Sequence, residues 1–258
     1  MIIADNLYEL KSQIPNHVTL VAVSKTKPNS LIMNAYDAGH RVFGENKIQE
    51  MLAKYNSLPK DIKWHMIGHV QRNKVKYIAP FVSLIHGVDS IKLMNEINKH
   101  GIKNNRVIKC LLQVNISKEV SKFGISLNKI EELLNYSLNL QNISIKGLMG
   151  MASYTNDKSL INSEFNSIKV KFNELNKINS NFNILSIGMS GDYDSILGFN
   201  KKNPIDKFIT SMPSGRFIPA NGDGTLSGIL FEINDLGLVK KLCPIKIGGL
   251  LAQDYPEF

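Results

Sequence analysis

Short apolar runs alternate with longer amphipathic stretches along most of the chain. The runs predict strands at 18–24 (VTLVAVS), 41–43 (RVF), 63–67 (KWHMI) and 83–86 (SLIH). The series continues at 107–115 (VIKCLLQVN), 143–149 (ISIKGLM), 184–187 (ILSI) and 245–247 (IKI). Between them, apolar residues at helical spacing predict helices over 29–38, 46–56, 71–79, 90–100, 128–140 and 158–177, with a short one near 192–198. Strand then helix, repeated, points to parallel pairing through right-handed crossovers. Eight strands close a TIM barrel, so the expected fold class is α/β, a single (β/α)8 barrel. A doubly wound open sheet is the rival, but no glycine-rich dinucleotide fingerprint follows the first strand. Residues with chemical potential instead recur where strands end: Lys25, Asn46, His65, His86, Asn115 and Ser190. A barrel brings all such ends to one mouth.

One stretch breaks the rhythm. Residues 200–244, rich in Gly and Pro, separate the seventh and eighth strands. The expected organisation is one domain over 1–258 with an atypical insertion at about 200–244, in which ILFEI reads as a strand and half of a hairpin.

Composition narrows the classes. With 43% hydrophobic residues the chain is neither disordered nor collagen-like, and 258 residues suffice for one large core. The net charge of +9 raises the question of nucleic acid, but the lysines are spread through nearly every segment rather than gathered with aromatics. No nucleic-acid partner is expected. Cys110 and Cys243 form no framework for disulfides or zinc, which suits a reducing compartment. Asp5 and Glu9 interrupt any leader-like N-terminus, and no run approaches a membrane span. A cytoplasmic protein without a membrane partner or bound metal is expected, as a monomer.

The chemistry centres on Val21-Ala22-Val23-Ser24-Lys25-Thr26-Lys27-Pro28. Strand side chains alternate, so Lys25 shares a face with Val21 and Val23. A partly buried lysine has a depressed pKa, and its neutral amine can form a Schiff base with an aldehyde. Lys27 has the same parity and competes, but beside Pro28 it should be the more exposed. After the seventh strand, Gly188-Met189-Ser190-Gly191-Asp192 reads as a small-residue turn into a helix, and Gly248-Gly249 follows the eighth. Barrels commonly bind phosphate at these two places. An aldehyde at one end and a phosphate at the other describe pyridoxal 5′-phosphate, and equally a sugar phosphate held by a Schiff-base aldolase.

AVSKTKP (22–28), FGEN (43–46), WHMIGHVQRNK (64–74), VNISKEVSKFGI (114–125), KGLMGM (146–151) and SIGMSGDY (186–193) fall in a characteristic order. Over about residues 7–199 the chain resembles the YggS/PROSC family of pyridoxal phosphate homeostasis proteins. The resemblance implies a barrel like the N-terminal domain of alanine racemase, holding pyridoxal 5′-phosphate as a Schiff base on Lys25. It places Ser190 and its neighbour Gly191 in a phosphate cup and Asn46 near the cofactor. His65, Gly68 and Gln71–Lys74 match a further motif without an individual role. The C-terminus departs from the pattern: the family's Arg-Ile-Gly-Ser/Thr strand end is met here by Lys246-Ile247-Gly248-Gly249. Lys246 would then face the pyridine nitrogen, with Gly248 and Gly249 at the phosphate.

The resemblance further implies buffering and delivery of the cofactor to apo pyridoxal-phosphate enzymes, without firm catalytic activity. A basic partner at the pyridine nitrogen weakens carbanion chemistry, and with the chain ending within a dozen residues of the last strand no second domain is expected. The alternative is an amino-acid racemase or lyase of the alanine-racemase-like barrel type.

Overall fold

The computed structural model describes residues 2–15, 17–117, 123–153, 157–179 and 181–187, and the strand backbone at 189–192, 195–196, 199–200, 224–233 and 239–247. A first helix, α1 (Ile2–Gln13), precedes β1 (Ala22–Val23), α2 (Asn29–Asp37), β2 (Val42–Glu45), α3 (Ile48–Ser57) and β3 (Lys63–Met66). A 3-10 turn at Arg72–Lys74 leads into α4 (Val75–Ile78), then β4 (Leu84–Val88), α5 (Ile91–Lys103) and β5 (Ile108–Val114). After a second 3-10 turn come α6 (Ile130–Ser137), β6 (Ile143–Gly150), α7 (Lys158–Ile178) and β7 (Ile184–Ile187). Helix α1 has no counterpart among the helices that the sequence pattern predicts.

Strands β1 to β7 form one parallel sheet in sequence order. The sheet curls. His86 on β4 lies 2.9 Å from Ser186 on β7, although two strands intervene. In a flat sheet those strands would be about 14 Å apart.

Alternation along the strands divides the core into two layers. Phe43, Trp64, Met66, Ile85, Leu112 and Leu148 belong to the main cluster that packs beneath the helices. Leu84, Leu111 and Met149, with Ile184, form a separate cluster inside the curl. Helix α5 shows why these segments are helical: Leu93, Met94, Ile97 and Gly101 are buried at i, i+1, i+4 and i+8, and Ser90 Oγ caps the helix by accepting from the Leu93 N–H. Asp157 caps α7 in the same way, accepting from the N–H groups of Ser159 and Leu160.

After β7 the structure departs from expectation. The helix expected near 192–198 is replaced by three short strands, β8 (Met189–Asp192), β9 (Ser195–Ile196) and β10 (Phe199–Asn200). Residues 245–247 are no eighth parallel strand. They end β12 (Val239–Ile247), which pairs antiparallel with β11 (Gly224–Ile233), and β11 pairs antiparallel with β8. The link between β11 and β12 spans five residues, 234–238, too short for a parallel crossover, so the two strands pair as an antiparallel hairpin. ILFEI thus lies in a hairpin strand, in agreement with its apolar pattern. Among the described residues the parallel sheet has seven strands, and closure by an eighth is not seen.

Candidate functional site at the mouth of the curled sheet

Lys25 follows β1 at the C-terminal edge of the sheet. Gly44 and His65 continue the level of Val23, one step below Lys25, on β2 and β3, since Val23 pairs with Gly44 and Gly44 with His65. Any Cβ on Gly44 would stand 3.1 Å from Val21 Cγ1 and 3.0 Å from Ile67 Cδ1, so these three residues face one another on the inner side. Lys25 continues that parity and is half-buried, whereas Lys27 is exposed. Burial pulls the Lys25 amine below the usual lysine range, against the opposing pull of the Glu45 and Glu50 carboxylates.

The backbone carrying Lys25 is a tight turn, closed by the Lys27 N–H donating to the Ser24 carbonyl at 3.1 Å. Thr26 sits in the left-handed region at φ 63°, an outlier for a β-branched residue that costs about 1–3 kcal/mol. The conformation is held from outside. The Thr26 N–H donates to Glu50 Oε1 at 2.6 Å. Lys54 Nζ donates to the Ser24 carbonyl, to Glu45 Oε1 and to Glu50 Oε1, each at 2.7 Å. Ser24 Oγ donates to Glu45 Oε1 at 2.6 Å. Glu45 is fully buried, and burial pushes its pKa up against the hydrogen bonds from Lys54 and Ser24. Its Oε2 has no hydrogen-bond partner among the described residues.

Sequence reasoning missed this cluster. Glu45 and Ser24 sit at outward parity, where a charge reads as solvated, and Glu50 and Lys54 look like an ordinary i, i+4 surface pair. The usable signal was a glutamate beneath an amphipathic helix.

The inner face is polar one level below Lys25. His65 Nδ1 lies 3.1 Å from His86 Nε2, and His86 Nδ1 lies 2.9 Å from Ser186 Oγ. Burial drives both imidazoles down, to about 4 for His65 and about 3 for His86, so both are neutral near pH 7. Asn46 is half-buried at the end of β2. Gly68 has a steric reason here: a Cβ would come within 2.5 Å of the Asn46 carbonyl oxygen, so only glycine lets these backbones meet. Asn115 donates its N–H to the Ile125 carbonyl at 2.9 Å.

Gln71, Arg72 and Asn73 form part of an outer rim rather than the Lys25 site. His69, Gln71, Arg72, Asp89, Ser90 and Lys92 line a groove of about 690 Å3 there, and Lys25 is not among its walls.

The remaining expected residues lie beyond β7. Ser190 and Gly191 are on β8, paired with Leu226 and Thr225, and Lys246 is on β12, paired with Ser227. Gly248 and Gly249 lie outside the described residues. No group of three or more metal-ligating side chains occurs among the described residues, and no helix there is long and apolar enough to cross a membrane.

Comparison with known proteins defines the family. The profile described as "Alanine racemase, N-terminal domain" matches residues 2–196. The pyridoxal phosphate homeostasis protein of Aquifex aeolicus is 38% identical over 184 residues, 69% of this chain and 79% of the relative. The chain belongs to the pyridoxal phosphate homeostasis protein family.

The Escherichia coli family member is 32% identical over 209 residues, 76% of this chain and 89% of its own. Among solved structures, PipY of Synechococcus elongatus without pyridoxal phosphate superposes with a TM-score of 0.68 at 34% identity, covering 72% of this chain and 89% of PipY. PipY with pyridoxal phosphate bound gives 0.64 at 33% identity, covering 72% of this chain and 88% of PipY. Alanine racemase from Clostridium difficile shares the fold alone, with 13% identity and a TM-score of 0.59 over 72% of this chain and 50% of its own.

A second profile, described as "YmdB-like protein", matches residues 176–245. It overlaps the first over 176–196 and covers the whole of the segment expected as an insertion. Ser190 and Gly191 lie in that overlap, so the GMS motif belongs to two matches at once.

Proposed function

We propose that the protein binds pyridoxal 5′-phosphate through Lys25 and serves intracellular homeostasis of that cofactor, holding it and releasing it to apoenzymes. The observation that carries the reading is the half-buried Lys25 amine on the inner face of the sheet, with its basicity lowered by burial. When bound, the cofactor supplies an aldehyde that condenses with an unprotonated primary amine and expels water. The groups around Lys25 suit that task. The tight turn fixes the direction of the side chain, burial favours the neutral amine, and Asn46 offers an amide on the same face. Support also comes from a relative at 33% identity whose structure contains the cofactor.

The phosphate end is assigned to the small residues after β7. Leu226 on β11 pairs with Ser190 on one side and with Ile247 on the other. That register brings Ser190–Gly191 and the Lys246–Ile247 end, which Gly248 and Gly249 follow in sequence, to one level of the second sheet, about 10 Å apart. Backbone N–H groups of such segments bind anions.

A carrier is favoured over a racemase or lyase. Among the described residues, the inner-face groups near Lys25 are amides, neutral imidazoles and a hydroxyl, a set that gives no acid to protonate a pyridine nitrogen. The test is a titration of cofactor-free protein with pyridoxal 5′-phosphate followed by exhaustive dialysis. A retained visible band that vanishes on borohydride reduction is expected; complete wash-out without such a band defeats the reading. Turnover of any amino acid at about 1 per second or faster would replace the carrier with an enzyme.

A further inference from the structure

We propose that Lys54 is a positioning residue for Lys25: its ammonium pins the turn that carries Lys25 and occupies the two carboxylates that would otherwise capture the Lys25 amine. The inference rests on the reading of Lys25 as the cofactor-linking amine. Lys54 is 5% exposed, and its three donors meet three oxygens, the Ser24 carbonyl, Glu45 Oε1 and Glu50 Oε1. The first of these also closes the turn, and the last also takes the Thr26 N–H. The peptide groups on both sides of Lys25 therefore end on one buried cluster, and that cluster holds Thr26 in its unfavourable conformation. A lysine needed only for packing would not deliver all three donors.

The surrounding charges determine the consequence of removing Lys54. The carboxylates of Glu45 on β2 and Glu50 on α3 act on Lys25 electrostatically, and both are bound by Lys54; His65 from β3 is neutral near pH 7, and Lys27 on the same turn is exposed. Without Lys54, Lys25 becomes the nearest cation for two carboxylates, one of which already has an unpartnered oxygen. An ammonium drawn into an ion pair is held protonated and turned away from the mouth.

The pKa of Lys25 can be read without cofactor, by competitive labelling of the full-length protein with trace acetic anhydride across pH and quantification of the Lys25 peptide. Lys54→Met is expected to raise the Lys25 pKa by about one unit, a tenfold loss of neutral amine at pH 7. Borohydride trapping with added pyridoxal 5′-phosphate should slow about tenfold at pH 7 and recover at higher pH. Glu45→Gln/Lys54→Met removes the buried charge pair together and should return the Lys25 pKa to within half a unit of wild type. This double variant also decides the matter if the single one fails to fold. An unchanged Lys25 pKa in Lys54→Met, a loss of trapping equal at every pH, or a raised pKa in the double variant overturns the proposal. A shifted pKa in a protein whose wild type traps no cofactor would retain Lys54's role and discard the proposed function.

Discussion

Acidification from pH 7 to pH 5 should destabilise this fold through two imidazoles. His65 and His86 titrate at about 4 and about 3 in the folded protein, against 6.5 for an unhindered histidine. Their folded pKa values are depressed, so their stabilising contribution is complete above 6.5 and fades as pH falls below it. There the unfolded chain takes up protons that the buried pair refuses. One pKa unit corresponds to about 1.4 kcal/mol, and pH 5 lies 1.5 units below the unfolded value, so each imidazole costs about 2 kcal/mol and the pair about 4. Glu45 acts in the opposite sense, because its raised pKa makes acid stabilising. The comparison must therefore be differential. Urea unfolding at both pH values, for wild type and for His65→Gln/His86→Gln, isolates the pair. Wild type should lose about 4 kcal/mol more than the variant between pH 7 and pH 5. Equal losses in the two proteins would refute the idea that the inner face holds neutral histidines.

Two further outcomes concern packing. A Cβ on Gly147 (φ 158°) would lie 1.7 Å from the Ile184 carbonyl oxygen, whereas one on Gly39 (φ 84°) meets nothing within 4 Å. Gly147→Ala should thus lower the urea-derived stability by about 3 kcal/mol or more, and Gly39→Ala by about 1 kcal/mol from the backbone alone; equal costs would contradict the close approach of β6 to β7. Arg106 donates Nη1 to the Ala79 carbonyl at 2.6 Å and Nη2 to the Val82 carbonyl at 2.8 Å, bracketing the chain between α4 and β4. Arg106→Leu should cost about 2–3 kcal/mol in the same assay, and Arg106→Lys, without the planar fork, should regain no more than half of it.

Much of the parallel sheet was legible because its strands announce themselves. Runs such as VIKCLLQVN are buried on both faces and flanked by amphipathic helices, and each of the first seven strands falls where its apolar run lies. The contrast between half-buried Lys25 and exposed Lys27 followed from alternation and a neighbouring proline. The cluster behind Lys25 was hidden because burial is a tertiary property. Glu45 is 0% exposed only because α3 lies over β2, and nothing local to FGEN distinguishes it from a solvated glutamate. His65 and His86 were visible as strand-end residues, but their bond to each other and to Ser186 depends on the curl of the sheet. Beyond β7, the family motif points from GMSGD into a helix. Local antiparallel pairing across a five-residue link won instead, in a segment that matches a different profile.

The central claim is which amine carries the cofactor. Full-length protein incubated with pyridoxal 5′-phosphate, reduced with borohydride and digested will show the phosphopyridoxyl mass on one peptide residue. The expected residue is Lys25, with the label lost in Lys25→Ala and kept in Lys27→Ala. Label on Lys27, or undiminished labelling of the Lys25→Ala protein, would contradict it.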